Sequence, residues 1–315
     1  MAEKDIMEKT LESYNEVFSD IVNNLVFGGK QEVQADDLTQ AVTRSVYKAD
    51  RKLREQERDT AKYWNRVNLR IAYYGLENET EPEEDVPLRL FGYDGAAYRD
   101  QLYYEKDENG IRRRNQNPRY PVVTLLLYFG YQKHWNKPLT LHDCLSEIPE
   151  KLKPYVNDYK VNLFEIAWLT DEQVARFHSD FQVVADYFVQ MRKNGNYVPS
   201  RKQLIHVQEV LQLMSVLTQD HRFEEAYNEE VERKENTNMC EVLDRVENRG
   251  IEKGIKQGIE QGIEQGIERG RILEFIDIRR EDGYSEEEII QGIIRKFHLT
   301  EDEIQGYIDQ TVLQQ

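Results

Sequence analysis

Two short apolar runs constrain the fold of this chain more than any other feature. The first is Tyr120–Tyr128 (YPVVTLLLY), bounded by Pro118 and Gly130, and the second is Val161–Leu169 (VNLFEIAWL). Both are far too short to cross a bilayer, so no membrane association is expected. Compact apolar runs between turn residues are typical of strands buried on both faces of a sheet. The chain is therefore predicted to be an α/β protein.

Periodicity and turn signals predict the elements around these runs. Residues 3–27 carry apolar side chains near one helical face, and Gly28-Gly29 ends that helix. Asp59–Trp64 and Leu69–Leu76 predict the two strands of a β-hairpin, with a turn at residues 65–68. Further helices are predicted over residues 85–105, 170–192 and 200–217, the second capped by Thr170.

A strict glycine repeat occupies the later part of the chain. Glycine recurs every four residues from Gly250 to Gly270, and isoleucine follows one step later from Ile251 to Ile267. In a helix each glycine costs about 1 kcal/mol relative to alanine, so a solitary helix is disfavoured. Glycines at this spacing would let a second backbone approach closely, which favours self-association through residues 250–270. A low-complexity linker is the alternative.

The last segment contains two capping boxes, Ser285 with Glu288 and Thr300 with Glu303. Each predicts the start of a short amphipathic helix, and together they predict a helical hairpin. Because this segment is acidic, a protein contact is favoured over DNA reading.

Charge and cysteine content limit the function classes. The net charge is −17, but residues 41–140 carry 18 Lys and Arg against 15 Asp and Glu, so the middle of the chain offers a surface for phosphate. Cys144 and Cys240 are the two cysteines, which excludes a cysteine-rich zinc site or a disulfide framework. The N-terminus shows no apolar signal segment. A cytoplasmic location is expected.

Three acidic residues on the predicted hairpin could carry metal chemistry. Asp59 begins the first strand, and Glu77 and Glu79 end the second. Since antiparallel neighbours lie about 5 Å apart, facing carboxylates there could share one cation. Mg²⁺ accepts few carboxylates, keeps several waters and adds substrate phosphate. Spacing alone leaves open that these acids form a solvated surface.

The sequence motifs around these acids are more specific than their spacing. The stretch from Tyr47 to Leu102 contains GLEN-x-T, PLR and GYDGAAYR, and YPVVTLLLYFG and the glycine repeat follow. Over most of its length the chain resembles the Rpn family of recombination-promoting nucleases, the YhgA-like transposases of the PD-(D/E)XK superfamily. The resemblance implies a restriction-endonuclease-like core with a helical C-terminal extension. It also implies a metal-dependent DNA endonuclease that uses Mg²⁺ or Mn²⁺.

Individual roles follow from the resemblance position by position. Asp59 and Glu77 match the acids of the first and second motifs, and Glu16 matches the acid of the N-terminal helix, so these three are the expected metal ligands. Asp59, Glu77 and Glu79 are the expected catalytic residues. Family members usually carry Gln at the position of Glu79, where other nucleases of the superfamily have Lys. An ionised glutamate can accept a hydrogen bond but cannot donate one.

Several basic residues could face DNA. Arg89, Lys62 or Gln101 could supply the donor that Glu79 lacks. The densest basic cluster consists of Arg112, Arg113 and Arg114 with Arg119. It is expected in a loop, where it either contacts phosphate or is solvated. Arg89 and Lys62 join this cluster as expected DNA contacts.

The expected organisation is a nuclease-like domain over 1–218, a glycine-periodic helical segment over 219–280 and a helical hairpin over 281–315. The alternative function is a catalytically degenerate member of the family that binds DNA or self-assembles. Its supports are Glu79 and the net charge of −17. A transposase of the RNase H type is disfavoured because that fold opens with three consecutive strands.

Overall fold

The first helix packs its apolar face against the central sheet. In the computed structural model, helix α1 spans Asn15–Leu25 and buries Val17, Phe18, Ile21 and Val22. Its end is set by Gly28 and Gly29, whose φ angles of 64° and 93° suit glycine and not residues with a side chain. The helix prediction is confirmed for this part, and residues 3–10 of the predicted helix lie outside the described residues.

The structure describes residues 11–49, 52–67, 69–106, 108–218, 220–230, 237–297, 299–300, 303–304 and 307. The chain divides into two units, Met1–Val246 and Glu247–Gln315.

The central elements of the first unit are the strands β1 Leu38–Gln40, β4 Thr60–Arg66, β5 Leu69–Glu79, β8 Val122–Tyr128 and β9 Asn162–Glu165 and the helix α2 Val86–Asp100. The five strands form one sheet in the order β1-β4-β5-β8-β9. Strands β4 and β5 form the predicted hairpin, while β5, β8 and β9 are parallel neighbours. Strands β5 and β8 are parallel, and helix α2 lies in the crossover connection that joins them. The α/β prediction is therefore confirmed.

The two faces of the sheet bury different side chains, as alternation along each strand requires. On β8, Leu125 and Leu127 belong to the large core with α1 and the later helices. Leu126 and Tyr128 belong to a smaller core with Val86 of α2. The sheet is therefore covered on both faces, and α2 lies on the face opposite α1.

Predicted strand ends shift by a few residues. Asp59 lies in a bend directly before β4, and β5 continues past the predicted end at Leu76 to Glu79. The second apolar run forms β9 and then a short 3-10 turn at Ile166–Trp168. Apolar residues occur in both parts of the run, so composition did not reveal where the strand ends.

The helix predicted over residues 170–192 is wrong as one element. It is two helices, α4 Asp171–Ala175 and α5 Phe181–Asn194. The Asp20 carboxylate accepts hydrogen bonds from the backbone N–H groups of His178 and Ser179, at 2.8 and 2.7 Å, and so holds the corner between them.

The next helix, α6, spans Val207–Leu217 and does not begin at Ser200 as predicted. Asp180 accepts from the N–H groups of Ile205 and His206, at 2.8 and 2.6 Å, and this contact fixes the chain just before the helix. In both places a carboxylate outside the helix accepts hydrogen bonds from backbone N–H groups of the connecting segment.

Two antiparallel ribbons accompany the sheet, and neither is predicted by the sequence. The first pairs β2 Arg44–Ala49 with β3 Lys52–Glu57. The second pairs β6 Tyr104–Lys106 with β7 Arg112–Arg114. The cluster Arg112–Arg114 was expected in a loop. It forms the exposed strand β7 because its backbone pairs with β6.

Beyond β8 come the short helices α3 Leu141–Cys144 and α7 His221–Glu230 and the long helix α8 Met239–Glu281, with α9 Glu286–Phe297 after it. The first core continues beyond the boundary expected at residue 218, since Phe223 and the start of α8 as far as Val246 are part of it. No helix in the described ranges is both long and apolar enough to span a membrane.

The glycine repeat lies within α8 and is helical as expected. Its five isoleucines, from Ile251 to Ile267, are each 53–58% exposed. Around Gly250 to Gly270 a Cβ would meet no atom within 4 Å outside the helix's own nearby backbone. At the start of α9, Ser285 and Glu288 form the predicted capping box. Thr300 donates to Glu303, but most of the helix predicted there lies outside the described residues.

Candidate active site

Asp59 and Glu77 come together at the end of the β4–β5 ladder. Thr60 pairs with Leu76, so the bend that carries Asp59 adjoins Glu77 on the neighbouring strand. The Asp59 Oδ2 accepts a hydrogen bond from the backbone N–H of Asn78, at 2.8 Å. This bond ties the Asp59 side chain to the strand segment that presents Glu77.

Glu77 is buried in an environment that disfavours its charge. It is 4% exposed, and its Oε1 has no hydrogen-bond partner among the described residues. Burial and then the nearby Asp59 raise the pKa of Glu77 well above its ordinary value, whereas Arg58 and Arg89 act in the opposite direction. A buried carboxyl with an unsatisfied oxygen is costly, so it favours a site built to meet another group.

The segment before helix α1 brings Glu12 to this region, where Glu16 of the helix was expected. Glu16 is about half exposed, and its Oε1 lies 2.7 Å from Nε2 of His206. Glu12, which precedes helix α1, is fully buried and accepts a hydrogen bond from the Asn78 side chain at 3.1 Å. Burial, opposed by the Asn78 bond and increased by Asp59, raises the pKa of Glu12 to about 8. Glu12 therefore approaches Asp59, while Glu16 contacts His206.

Glu79 forms an ion pair with Arg89 of α2. Arg89 also lies 3.4 Å from the Glu83 carboxylate. Its positive charge acts to lower the pKa of Glu77. Glu79 is thus an acid whose charge a guanidinium neutralises. Among the three donors considered from the sequence, Arg89 is the one that the described structure brings to these acids.

The other two donors have different partners. Lys62 is buried beside α1, where its Nζ donates to the Ser13 carbonyl at 2.6 Å, and burial lowers its pKa. Gln101 donates to the backbone carbonyl of Tyr120. Arg112, Arg113 and Arg114 lie on the exposed β6–β7 ribbon, which is a different hairpin from the β4–β5 pair beside Asp59 and Glu77.

A buried network that the sequence reasoning missed supports the bend at Asp59. Arg58 pairs with Asp94 of α2 at 2.6 Å and donates to Thr124 of β8. The other oxygen of Asp94 accepts from the Tyr159 hydroxyl at 2.7 Å. The signal was present in the sequence, since Asp94 is the acid of the GYDG motif and Arg58 directly precedes Asp59.

The donor set suits a magnesium-type ion held by two acids. Asp59 and Glu77 offer carboxylate oxygens, and the unpartnered Oε1 of Glu77 is the observation that favours a cation there. No cluster of three or more His, Cys, Asp or Glu side chains arranged for a metal occurs in the part of the chain that the structure describes. The fit is therefore to a site with two protein ligands and not to the three-acid set that included Glu16.

Comparison with known proteins gives one match. A family model described as "Putative transposase, YhgA-like" matches residues 30–223, which include the hairpin, α2 and β8. No curated protein and no solved structure matches the chain. Because the matched segment covers more than half of the sequence and contains Asp59, Glu77 and Asp94, the chain belongs to this YhgA-like family.

Proposed function

We propose that this protein is a metal-dependent DNA endonuclease with a PD-(D/E)XK core and acts in recombination or DNA mobility. The observation that carries the proposal is the pairing of Asp59 with buried Glu77, whose Oε1 has no partner among the described residues. Membership in a transposase-like family supports DNA as the partner. The middle of the chain, where positive charge exceeds negative charge, supports a phosphate-facing surface there.

In this proposal Asp59 and Glu77 hold Mg²⁺ or Mn²⁺. A bound ion of this kind makes water a better nucleophile and stabilises charge that develops on the phosphate oxygens. The Asn78 backbone N–H orients the Asp59 carboxylate through the 2.8 Å bond. Arg89 neutralises Glu79, so that the acid replacing the family's Gln does not repel the DNA phosphate. The Arg58–Asp94 pair holds the bend from which Asp59 extends.

The test is cleavage of plasmid DNA by the purified full chain with Mg²⁺ or Mn²⁺. Asp59→Asn and Glu77→Gln keep the size of each side chain and remove its charge, and each should reduce the rate at least about a hundredfold if it removes a metal ligand. Glu150→Gln changes an acid on the exposed surface and should cleave like the parent. Cleavage that persists at the parental rate in both site variants would disprove the proposal.

A second candidate, a DNA-binding or self-assembling module without cleavage, also has specific support. Glu79 is an acid where the family usually has a donor, and the described residues contain no three-ligand metal cluster. Parental protein that binds DNA but does not cut it with either metal would favour this candidate. Under the endonuclease proposal, binding and cutting occur together.

We also propose that residues 250–270 associate with the same segment of a second copy. The isoleucines of this segment are more than half exposed although they repeat regularly, and the glycines beside them leave open space. A four-residue period drifts about 40° per step around a helix, so a partner must cross this stripe at an angle. Close contact at small residues suits such a crossing.

A further inference from the structure

An aromatic cleft lies on the side of the sheet that α2 covers. It has a volume of about 450 Å³, and its charged lining groups are three arginines and one acid. Pockets that take small molecules have volumes of roughly 300–1,000 Å³. Arg58 and Arg44 are paired with Asp94 and Glu57, whereas Arg70 has no carboxylate partner among the described residues. Arg70 is therefore the lining group that favours an anionic ligand. The tyrosines of the cleft are Tyr63, Tyr73, Tyr93, Tyr103 and Tyr120.

Aromatic faces and a guanidinium alternate along the cleft. The Arg70 guanidinium lies 3.6 Å from the ring centroid of Tyr63 and 5.4 Å from that of Tyr120, whose hydroxyl it also contacts at 3.3 Å. Tyr103 is 45% exposed, and Tyr120 is half-buried. Packing alone does not require a stacked guanidinium beside open tyrosine rings. The arrangement suits a planar base next to a phosphate, because bases stack on aromatic rings and arginine binds phosphate.

The cleft adjoins the acids of the candidate active site. Arg58 and Tyr93 line the cleft, and both interact electrostatically with Glu77. The charge of Asp59 also helps to raise the pKa of the Tyr93 hydroxyl. Because Arg58 lines the cleft and directly precedes Asp59 in the chain, the cleft lies near this acid.

A second pocket continues the cleft. It has a volume of about 260 Å³ and shares Arg70, Tyr103 and Tyr120 with the first. Asn115 lines it, and the Asn115 N–H bonds to the Tyr103 carbonyl at 2.9 Å, at the base of the β6–β7 ribbon. The exposed strand Arg112–Arg114 thus rises from the edge of the same groove. A polymer could follow this path from the acids to the arginines.

We infer that the cleft binds an unpaired nucleotide of single-stranded DNA, with its base on the tyrosines and a phosphate on Arg70. Paired bases in a duplex present edges and not faces, so stacking on a side chain requires an unpaired base. The inference deepens the proposed function, because it assigns single-stranded or locally opened DNA as the substrate class. It rests on that proposal only for the identity of the polymer as DNA.

The test is fluorescence anisotropy with the full chain in EDTA, so that binding is measured without cleavage. The probe is a labelled single-stranded DNA of mixed sequence of about 12 nucleotides, within the usual range of single-strand sites. The same sequence is also presented as a DNA duplex and as RNA. Binding to single-stranded DNA should be at least about tenfold tighter than to the duplex, because the bases of the duplex are already stacked.

Variants locate the binding. Tyr103→Ala and Arg70→Gln should each weaken single-strand binding about tenfold, near the lower limit for loss of one stacked base. The matched controls are Tyr155→Ala, an exposed tyrosine elsewhere, and Arg66→Gln, an arginine of β4 outside the cleft. Both should bind like the parent.

These binding measurements test the inference separately from the cleavage assay. Equal affinity for single-stranded and duplex DNA overturns it, and so does unchanged affinity in both cleft variants. Tighter binding of the RNA overturns the assignment to DNA. If the protein binds single-stranded DNA through the cleft but does not cleave any DNA, the inference stands and the endonuclease proposal fails.

Discussion

Arg58 and Asp94 form an ion pair at 2.6 Å in which the side chains are only 3% and 10% exposed. The pair joins the residue before Asp59 to helix α2, across 36 positions of sequence. Burying two charges is costly, and here the cost is offset by further hydrogen bonds that Asp94 accepts from the hydroxyls of Thr124 and Tyr159. The bend that presents Asp59 is thus held by side chains outside the pair of acids.

Removing one partner of this pair should destabilise the protein strongly. Asp94→Ala leaves the Arg58 guanidinium buried without its carboxylate, and the expected loss in the free energy of unfolding is about 3–5 kcal/mol. Urea unfolding followed by circular dichroism measures it. Asp100→Ala, an exposed acid at the end of the same helix, is the control and should change stability by less than about 0.5 kcal/mol. Equal losses in the two variants would contradict the role given to the pair.

Gly75 leaves room for the same arginine. A Cβ at this position would collide with the Arg58 guanidinium. Gly75→Ala should therefore cost about 1–3 kcal/mol of stability, as overpacking of a core usually does. Gly95→Ala on α2 is the matched control, because a Cβ there meets nothing within 4 Å. It should stabilise the protein by up to about 1 kcal/mol through helix propensity. Thermal unfolding of both variants decides, and a stabilising Gly75→Ala would refute the packing argument.

Glu12 should make stability depend on pH. Its pKa is raised to about 8 in the folded protein, against an ordinary value of 4.5. The folded state therefore binds the proton more tightly than the unfolded chain does. The stabilising contribution of the neutral carboxyl is complete below pH 4.5 and is lost as the pH rises towards 8.

Glu12→Gln keeps a neutral group of the same size and cannot ionise. In EDTA, the difference in unfolding temperature between this variant and the parent should grow in favour of the variant from pH 5 to pH 8, the interval set by the pKa of about 8. Glu16→Gln, a half-exposed acid of the same helical region, is the control. A constant difference across this pH range would show that Glu12 is charged in the folded protein.

The glycine repeat offers a test of self-association. Gly258→Ala with Gly262→Ala should raise the helical stability of the segment by about 1 kcal/mol per site, because nothing obstructs a Cβ in the single chain. If a second copy packs on these glycines, the same change should weaken association at least about tenfold by separating the backbones. Circular dichroism and sedimentation velocity measure the two effects.

Gln257→Ala with Gln261→Ala changes exposed neighbours in the same helix and serves as the control. It should leave the association constant unchanged. An association constant that is equal in both double variants, or a parental protein that is monomeric at all concentrations, would exclude the proposed contact.

Local sequence patterns were sufficient for much of the fold. The apolar run before Gly130 predicts β8, and the alternation around the turn at residues 65–68 predicts the hairpin that joins Asp59 to Glu77. These predictions succeed because strand burial and hairpin register are set by residues close together in the chain. The helical glycine repeat is likewise a matter of a few neighbouring positions.

Tertiary structure alone decided which distant groups meet. Burial selects Glu12 over Glu16 as the acid beside Asn78, and packing turns Lys62 towards α1 while Arg89 reaches Glu79. Asp20 divides a predicted helix by capturing donors 158 residues away. Such outcomes depend on the free energy of removing charges and backbone donors from water, and that is determined by the assembled neighbours and not by the sequence nearby.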